Sequence, residues 1–283
     1  MSGSAPRLGL LGAHLAPFAA AADLAGWQPS VVAGVPPTDV ASGELVRARA
    51  LPLLDLDEAV ARAPLDIAIV GTTTGRRVDD ALALLDRGVH VLLVPDVDLP
   101  GADRLRAPTP GPAVLALAAP LLASATAGQW LAMVAEATDV EHLTGRAGPD
   151  DGPTGPLRWQ LLALLSLAAS AAGWDAPTHV DRDEARISIG HGPQRRLSAS
   201  STPPSSGAVF AAQAAGPAEA LVLDVIPHTQ VERNGQLVAR VSPDEHPAVR
   251  FGTAPLLRRF VADLSAGRRP RLDGHFLATL ARP

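Results

Sequence analysis

Between Arg7 and Val94 the chain alternates short, mainly apolar runs with helical stretches, and this alternation restricts the fold more than any other feature. Arg7-Leu8-Gly9-Leu10-Leu11 runs into Gly12, Ser30 to Val35 is closed by Pro36-Pro37, Asp66 to Val70 runs into Gly71, and Val89 to Val94 follows Gly88. Between these runs lie an alanine-rich stretch from Pro17 to Gly26, a turn or two of helix from Asp57 to Ala63, and an amphipathic stretch from Arg77 to Arg87. Continuous apolar runs of this length read as strands buried on both faces, which parallel sheets require. Strand, helix and strand in regular succession imply βαβ units.

After Val94 the pattern changes. Pro108-Thr109-Pro110-Gly111-Pro112 is a stiff loop, and Ala113 to Ala118 reads as the last strand of the first sheet. Pro120 to Glu136 reads as a helix, Val140 to Arg146 as a strand, and Leu157 to Ala172 as a strongly apolar helix. Thr178 to Ser242 reads as consecutive antiparallel strands, with Asn234-Gly235 a hairpin turn. Pro255 to Ala266 and Gly274 to Arg282 read as closing helices. The expectation is an α/β chain: a parallel-sheet domain over residues 1–118, then an α+β domain with a largely antiparallel sheet over 119–283.

Composition narrows the chemistry. All 24 basic residues are arginine, and the chain has no lysine, tyrosine or cysteine. With so much alanine and proline, this resembles the codon bias of a high-GC bacterium. Disulfides and thiolate chemistry are excluded, and acid–base work falls to eight histidines and the carboxylates. A net charge of −5 gives no reason to expect a nucleic-acid partner. No charge-free apolar run reaches the roughly 18 residues of a membrane span, and no secretory signal is seen at the start. A cytoplasmic location is expected.

The order of these elements, with several local phrases, resembles the Gfo/Idh/MocA (glucose–fructose oxidoreductase/inositol dehydrogenase) family over nearly the whole chain. The phrases are the first strand into Gly12, Leu54-Asp55-Leu56-Asp57-Glu58, Asp66 to Val70, Gly88-Val89-His90-Val91-Leu92, and Leu257-Arg258-Arg259-Phe260 through Arg269-Pro270 to Asp273-Gly274. The resemblance implies a Rossmann-like first domain that binds NAD or NADP, and a second domain that pairs copies through its sheet.

The positions the family uses for chemistry are altered. A dinucleotide fingerprint needs glycines so that the backbone can approach the pyrophosphate. Gly12-Ala13-His14-Leu15-Ala16-Pro17 keeps only the first, with His14 in the second place and Pro17 in the third. About 20 residues on, where a carboxylate binds the ribose, stands Gly34-Val35-Pro36-Pro37, with Asp39 a few residues late. Where the family has Glu-Lys-Pro, this chain has Val94-Pro95-Asp96. In the second-domain helix, the places of the family's first aspartate, histidine and last aspartate become Trp159, Ala163 and Ser166. No cofactor is therefore expected; NAD or NADP belongs to the alternative that the phosphate loop is merely unusual.

Within the cavity this fold implies, His14 and Asp96 are the candidate acid–base pair. Thr72, Thr73, Thr74, Arg76 and Arg77 are candidate substrate-binding residues, with Trp159, because hydroxyls and guanidiniums at a helix start suit an anion. The plainer alternative is an ordinary helix start with two solvated arginines. The remaining histidines show no metal-ligand spacing. Three functions fit: a remodelled protein that binds a small molecule or runs a non-redox step, as in bacterial natural-product pathways; an NAD(P)-dependent oxidoreductase with an atypical loop; or a non-catalytic partner of an intact homologue. A homodimer through the second-domain sheet is expected.

Overall fold

A computed structural model describes residues 6–49, 53–73, 75–96, 99–106, 111–148, 157–183, 186–202, 207–274 and 276. The chain divides into two units, Met1–Ala119 with Thr253–Arg282, and Pro120–Gly252.

The first unit holds a six-stranded, wholly parallel sheet: β1 (Leu8–Gly12), β2 (Pro29–Ala33), β3 (Leu53–Leu54), β4 (Ile67–Gly71), β5 (His90–Leu93) and β6 (Leu115–Leu117). The order β3-β2-β1-β4-β5-β6 is that of the doubly wound dinucleotide-binding fold. Every residue of β1 and β4 is buried, which is why these strands read as unbroken apolar runs. The helices are α1 (Ala16–Leu24), α2 (Val40–Arg49), α3 (Leu56–Arg62) and α4 (Arg77–Asp86). Gly26 and Gly88 follow α1 and α4 with φ of +71° and +80°, as helix-terminating glycines do. Asp55 caps α3, accepting the Asp57 and Glu58 amides.

The second unit holds a mixed eight-stranded sheet: β7 (His142–Gly148), β8 (His179–Arg182), β9 (Arg186–His191), β10 (Arg195–Ser201), β11 (Val209–Ala215), β12 (Ala220–Ile226), β13 (Gln230–Arg233) and β14 (Gln236–Arg240). Its order is β14-β13-β12-β11-β7-β10-β9-β8. Only the β7–β10 pair is parallel, so the sheet is largely antiparallel. Asn234 and Gly235 both take positive φ, +50° and +76°, making the tight turn that suits the strands' twist. Helices α5 (Ala125–Glu136) and α6 (Leu157–Ala171) pack on the sheet. Ser124 caps α5, accepting the Ala127 amide at 3.3 Å, so the helix expected from Pro120 breaks into a short turn over Pro120–Ala123 and then α5. The short α7 (Pro247–Arg250) ends this unit.

The boundary differs from the expectation that everything after residue 118 forms the second domain. Helix α8 (Thr253–Ser265) buries Ala254, Leu257 and Phe260 and packs against α1, so it belongs to the first unit. Sequence marks this helix as amphipathic but not which surface its apolar stripe will cover. The Leu272 carbonyl then accepts the Leu117 amide at 2.9 Å, extending that attachment. The closing helix expected from Gly274 lies mostly outside the described residues. No described helix is long and apolar enough to cross a membrane.

Candidate functional site at the carboxyl edge of the parallel sheet

In sheets of this order, ligands sit beyond the carboxyl ends of the strands where the strand order reverses, here at β1 and β4. The turn leaving β1 is built on close backbone approach. Gly12 has φ +103°, and a Cβ there would lie 2.3 Å from the carbonyl carbon and oxygen of Gly71 and from the Thr72 nitrogen. A Cβ on Gly71 would lie 2.4 Å from the Ala13 oxygen. The Ala13 amide donates to the Gly71 carbonyl at 2.8 Å. The surviving glycine is therefore required by the close approach of the turn after β1 to the end of β4, whatever is bound.

His14 follows in the left-handed region at φ +59°, a conformation that costs a non-glycine residue about 1–2 kcal/mol. What holds it is Asp39. The His14 amide donates to Asp39 Oδ2 at 2.8 Å, and the Ser42 amide donates to Asp39 Oδ1 at 3.1 Å. The Leu15 amide donates to Ser42 Oγ at 3.1 Å, and Ser42 is fully buried. Burial pushes the Asp39 carboxyl up, but the Ser42 hydroxyl, the Ser42 and His14 amides and the nearby imidazole outweigh it and hold the group below the ordinary carboxylate range. Asp39 lies too late to follow β2 directly, and it does fold back. It reaches the turn after β1 and caps α2, a helix absent from the sequence-based expectation.

The candidates after β4 and β5 are placed as follows. Thr72 is 2% exposed, and its hydroxyl has no hydrogen-bond partner. Thr73 is exposed, and its carbonyl accepts the Arg76 and Arg77 amides. Thr74 lies outside the described residues. Arg76 is committed to carboxylates, with Nη2 2.9 Å from Asp80 and 2.5 Å from Asp57, which raises its pKa. Arg77 is buried and donates to the carbonyls of Thr72 and Val94, both at 2.8 Å, tying the ends of β4 and β5 together. Desolvation lowers its pKa, opposed by the charge of Asp96. Arg76 is thus part-exposed and paired to carboxylates, while Arg77 is buried against backbone carbonyls. Besides the Arg76 pairs, the His14 imidazole acts on the Asp39 carboxyl, and the Asp96 charge acts on Arg77.

In the second unit Trp159 lies in α6, 1% exposed, and its indole N–H has no hydrogen-bond partner. Ala163 is fully buried and Ser166 half-buried on the same helix. Among the described residues no three His, Asp or Glu side chains gather as metal ligands would.

At the level of sequence, no family profile and no curated protein matches the chain. Solved structures do. The MviM dehydrogenase of Clostridium difficile superposes with a TM-score of 0.72 at 13% identity, over 98% of this chain and 96% of that one. GenD2 from gentamicin A biosynthesis, solved with NAD, gives 0.74 at 14%, over 99% and 93%. KijD10, a 3-ketoreductase from Actinomadura kijaniata solved with NADP and TDP-benzene, gives 0.72 at 17%, over 98% and 95%. The chain has the Gfo/Idh/MocA oxidoreductase fold.

Two of these neighbours were solved with NAD or NADP. A pyrophosphate on this turn needs free backbone amides and a glycine surface. Here the His14 and Leu15 amides already have acceptors, and Pro17 in the first turn of α1 carries no N–H. No carboxylate follows β2 at Gly34 or Val35 for the ribose.

Proposed function

We propose that this chain is a Gfo/Idh/MocA-fold protein that has lost dinucleotide chemistry. It binds a small molecule at the carboxyl edge of the first unit's sheet, or runs a non-redox step there, such as an elimination, cyclisation or isomerisation. His14 and Asp96 are its proton-transfer candidates, Thr72 its buried hydroxyl donor. One observation carries the reading: the amides that would receive a pyrophosphate are hydrogen-bonded to Asp39 and Ser42. Each hydrogen bond thereby denied to a ligand is worth on the order of 1 kcal/mol, more for a charged one. Several together move a micromolar cofactor to the millimolar range. Calorimetric titration with NADH and NADPH tests this, with dissociation constants above the low micromolar range expected for both. Saturable low-micromolar binding of either sinks it and favours a second reading, an NAD(P)-dependent oxidoreductase with an atypical loop, which the NAD- and NADP-bound neighbours support.

The proposal includes a homodimer through the second unit's sheet. Helices α5 and α6 pack on the sheet, and a row paired by register runs across it through Ser188, Ser198, Thr144, Gln213, Val222 and Glu232. The pairing rests on the family resemblance and on the alanine- and valine-rich strands from Ala208 to Ile226, since the polar row could by itself face water. Light scattering at micromolar concentration should give twice the 29.1 kDa chain mass, and a monomer refutes the pairing. If the cover were an intact homologue instead, co-purification would recover it with the chain. A cytoplasmic setting and a role in bacterial secondary metabolism belong to the same proposal.

A further inference from the structure

We propose that the segment from Gly34 through α2 is a strap that has taken the dinucleotide's pyrophosphate place, and that Asp39, rather than any collapse of the turn, keeps anions out. The inference rests on the reading of a lost cofactor site and gives that loss a removable cause.

Gly12 makes a close backbone approach to the end of β4, and the His14 and Leu15 amides are held by one carboxylate and the hydroxyl bound to it. A carboxylate accepting a backbone amide in front of a helix start does what a phosphate oxygen would do there. The chain supplies this anion from 25 residues away. Any incoming anion must displace hydrogen bonds already made and also approach a carboxylate kept ionised by the groups around it.

The strap is lightly fastened elsewhere. Of α2's residues with described side chains, Ser42 alone is buried, and it is the residue that meets the turn. Val40 is 61% exposed. Gly34, at φ +65°, and the exposed Pro37 and Thr38 lead into it. A helix fastened mainly by Asp39 and Ser42 leaves the turn when those hydrogen bonds go, because little apolar burial opposes it. Helices held by an apolar stripe behave otherwise.

The test uses the full chain with inorganic pyrophosphate as probe, following the backbone amide resonances of His14 and Leu15. In the wild type these should stay unmoved at millimolar pyrophosphate. In Asp39→Ala they should shift saturably, with affinity at least tenfold higher. Asp39→Asn keeps the volume and one acceptor while removing the charge, and should fall between; it also serves if the alanine variant does not fold. Folded variants whose His14 and Leu15 amides stay still, or shifts confined to other amides, overturn the strap. Pyrophosphate shifting the wild-type amides as strongly as those of the variant does so too. Tight NADH binding by the wild type would instead overturn the underlying reading, so the two failures are distinguishable.

Discussion

Gly12→Ala asks whether the one surviving fingerprint glycine serves a ligand or the fold. An alanine at φ +103° carries about 1–2 kcal/mol of backbone strain. Its Cβ would also stand 2.3 Å from three backbone atoms of Gly71 and Thr72, which no rotamer change relieves. Forcing such atoms apart costs a further 1–3 kcal/mol or so. The expected loss is therefore about 2–5 kcal/mol, a large share of the roughly 5–15 kcal/mol that holds a domain folded. Urea unfolding followed by circular dichroism measures it. Gly43→Ala in α2 is the control, since nothing lies within 4 Å of the added Cβ and its φ is not in the left-handed range. Helix propensity predicts a gain of about 0.5–1 kcal/mol there. If Gly12→Ala costs under about 1 kcal/mol, the close-approach argument is wrong and the glycine is kept for a ligand.

Arg77→Met removes the donor to two buried carbonyls at the ends of β4 and β5, and should cost about 2–4 kcal/mol in the same assay; a neutral result would release Arg77 for ligand binding. His90 accepts the Val114 amide through Nδ1, and burial pushes its pKa below the ordinary value, against the pull of Asp66. The folded state thus binds fewer protons than the unfolded state just below about pH 6.5, so stability should fall as pH drops through that value. His90→Asn should flatten that slope, and an unchanged slope would assign it to other groups.

Much of the fold is legible in the sequence because its strands are buried on both faces: β1, β4 and β5 stand out as apolar runs between glycine stops. Asn234-Gly235 declares its hairpin because few residues other than asparagine and glycine tolerate both positive φ values. Helix α2 escapes notice because burying a single serine leaves no apolar stripe. Strand β3, two residues long, has no period to show. At the site, the departures at His14, Pro17 and Pro95 can be read from the chain directly. The roles of Asp39 and Arg77 cannot: one acts on a turn 25 residues away, the other on backbone carbonyls, which every sequence offers equally.

The return of α8 to the first unit governs how the protein can be made. The parallel sheet and α1 leave the ribosome first, yet the helix that packs on α1 follows only after all of Pro120–Gly252 has been synthesised. The earlier unit therefore waits, incomplete, while the later one folds from a contiguous stretch of chain. A fragment cut at residue 119 should aggregate unless the residues from Thr253 onward are supplied in trans, whereas 120–252 is the piece suited to expression alone.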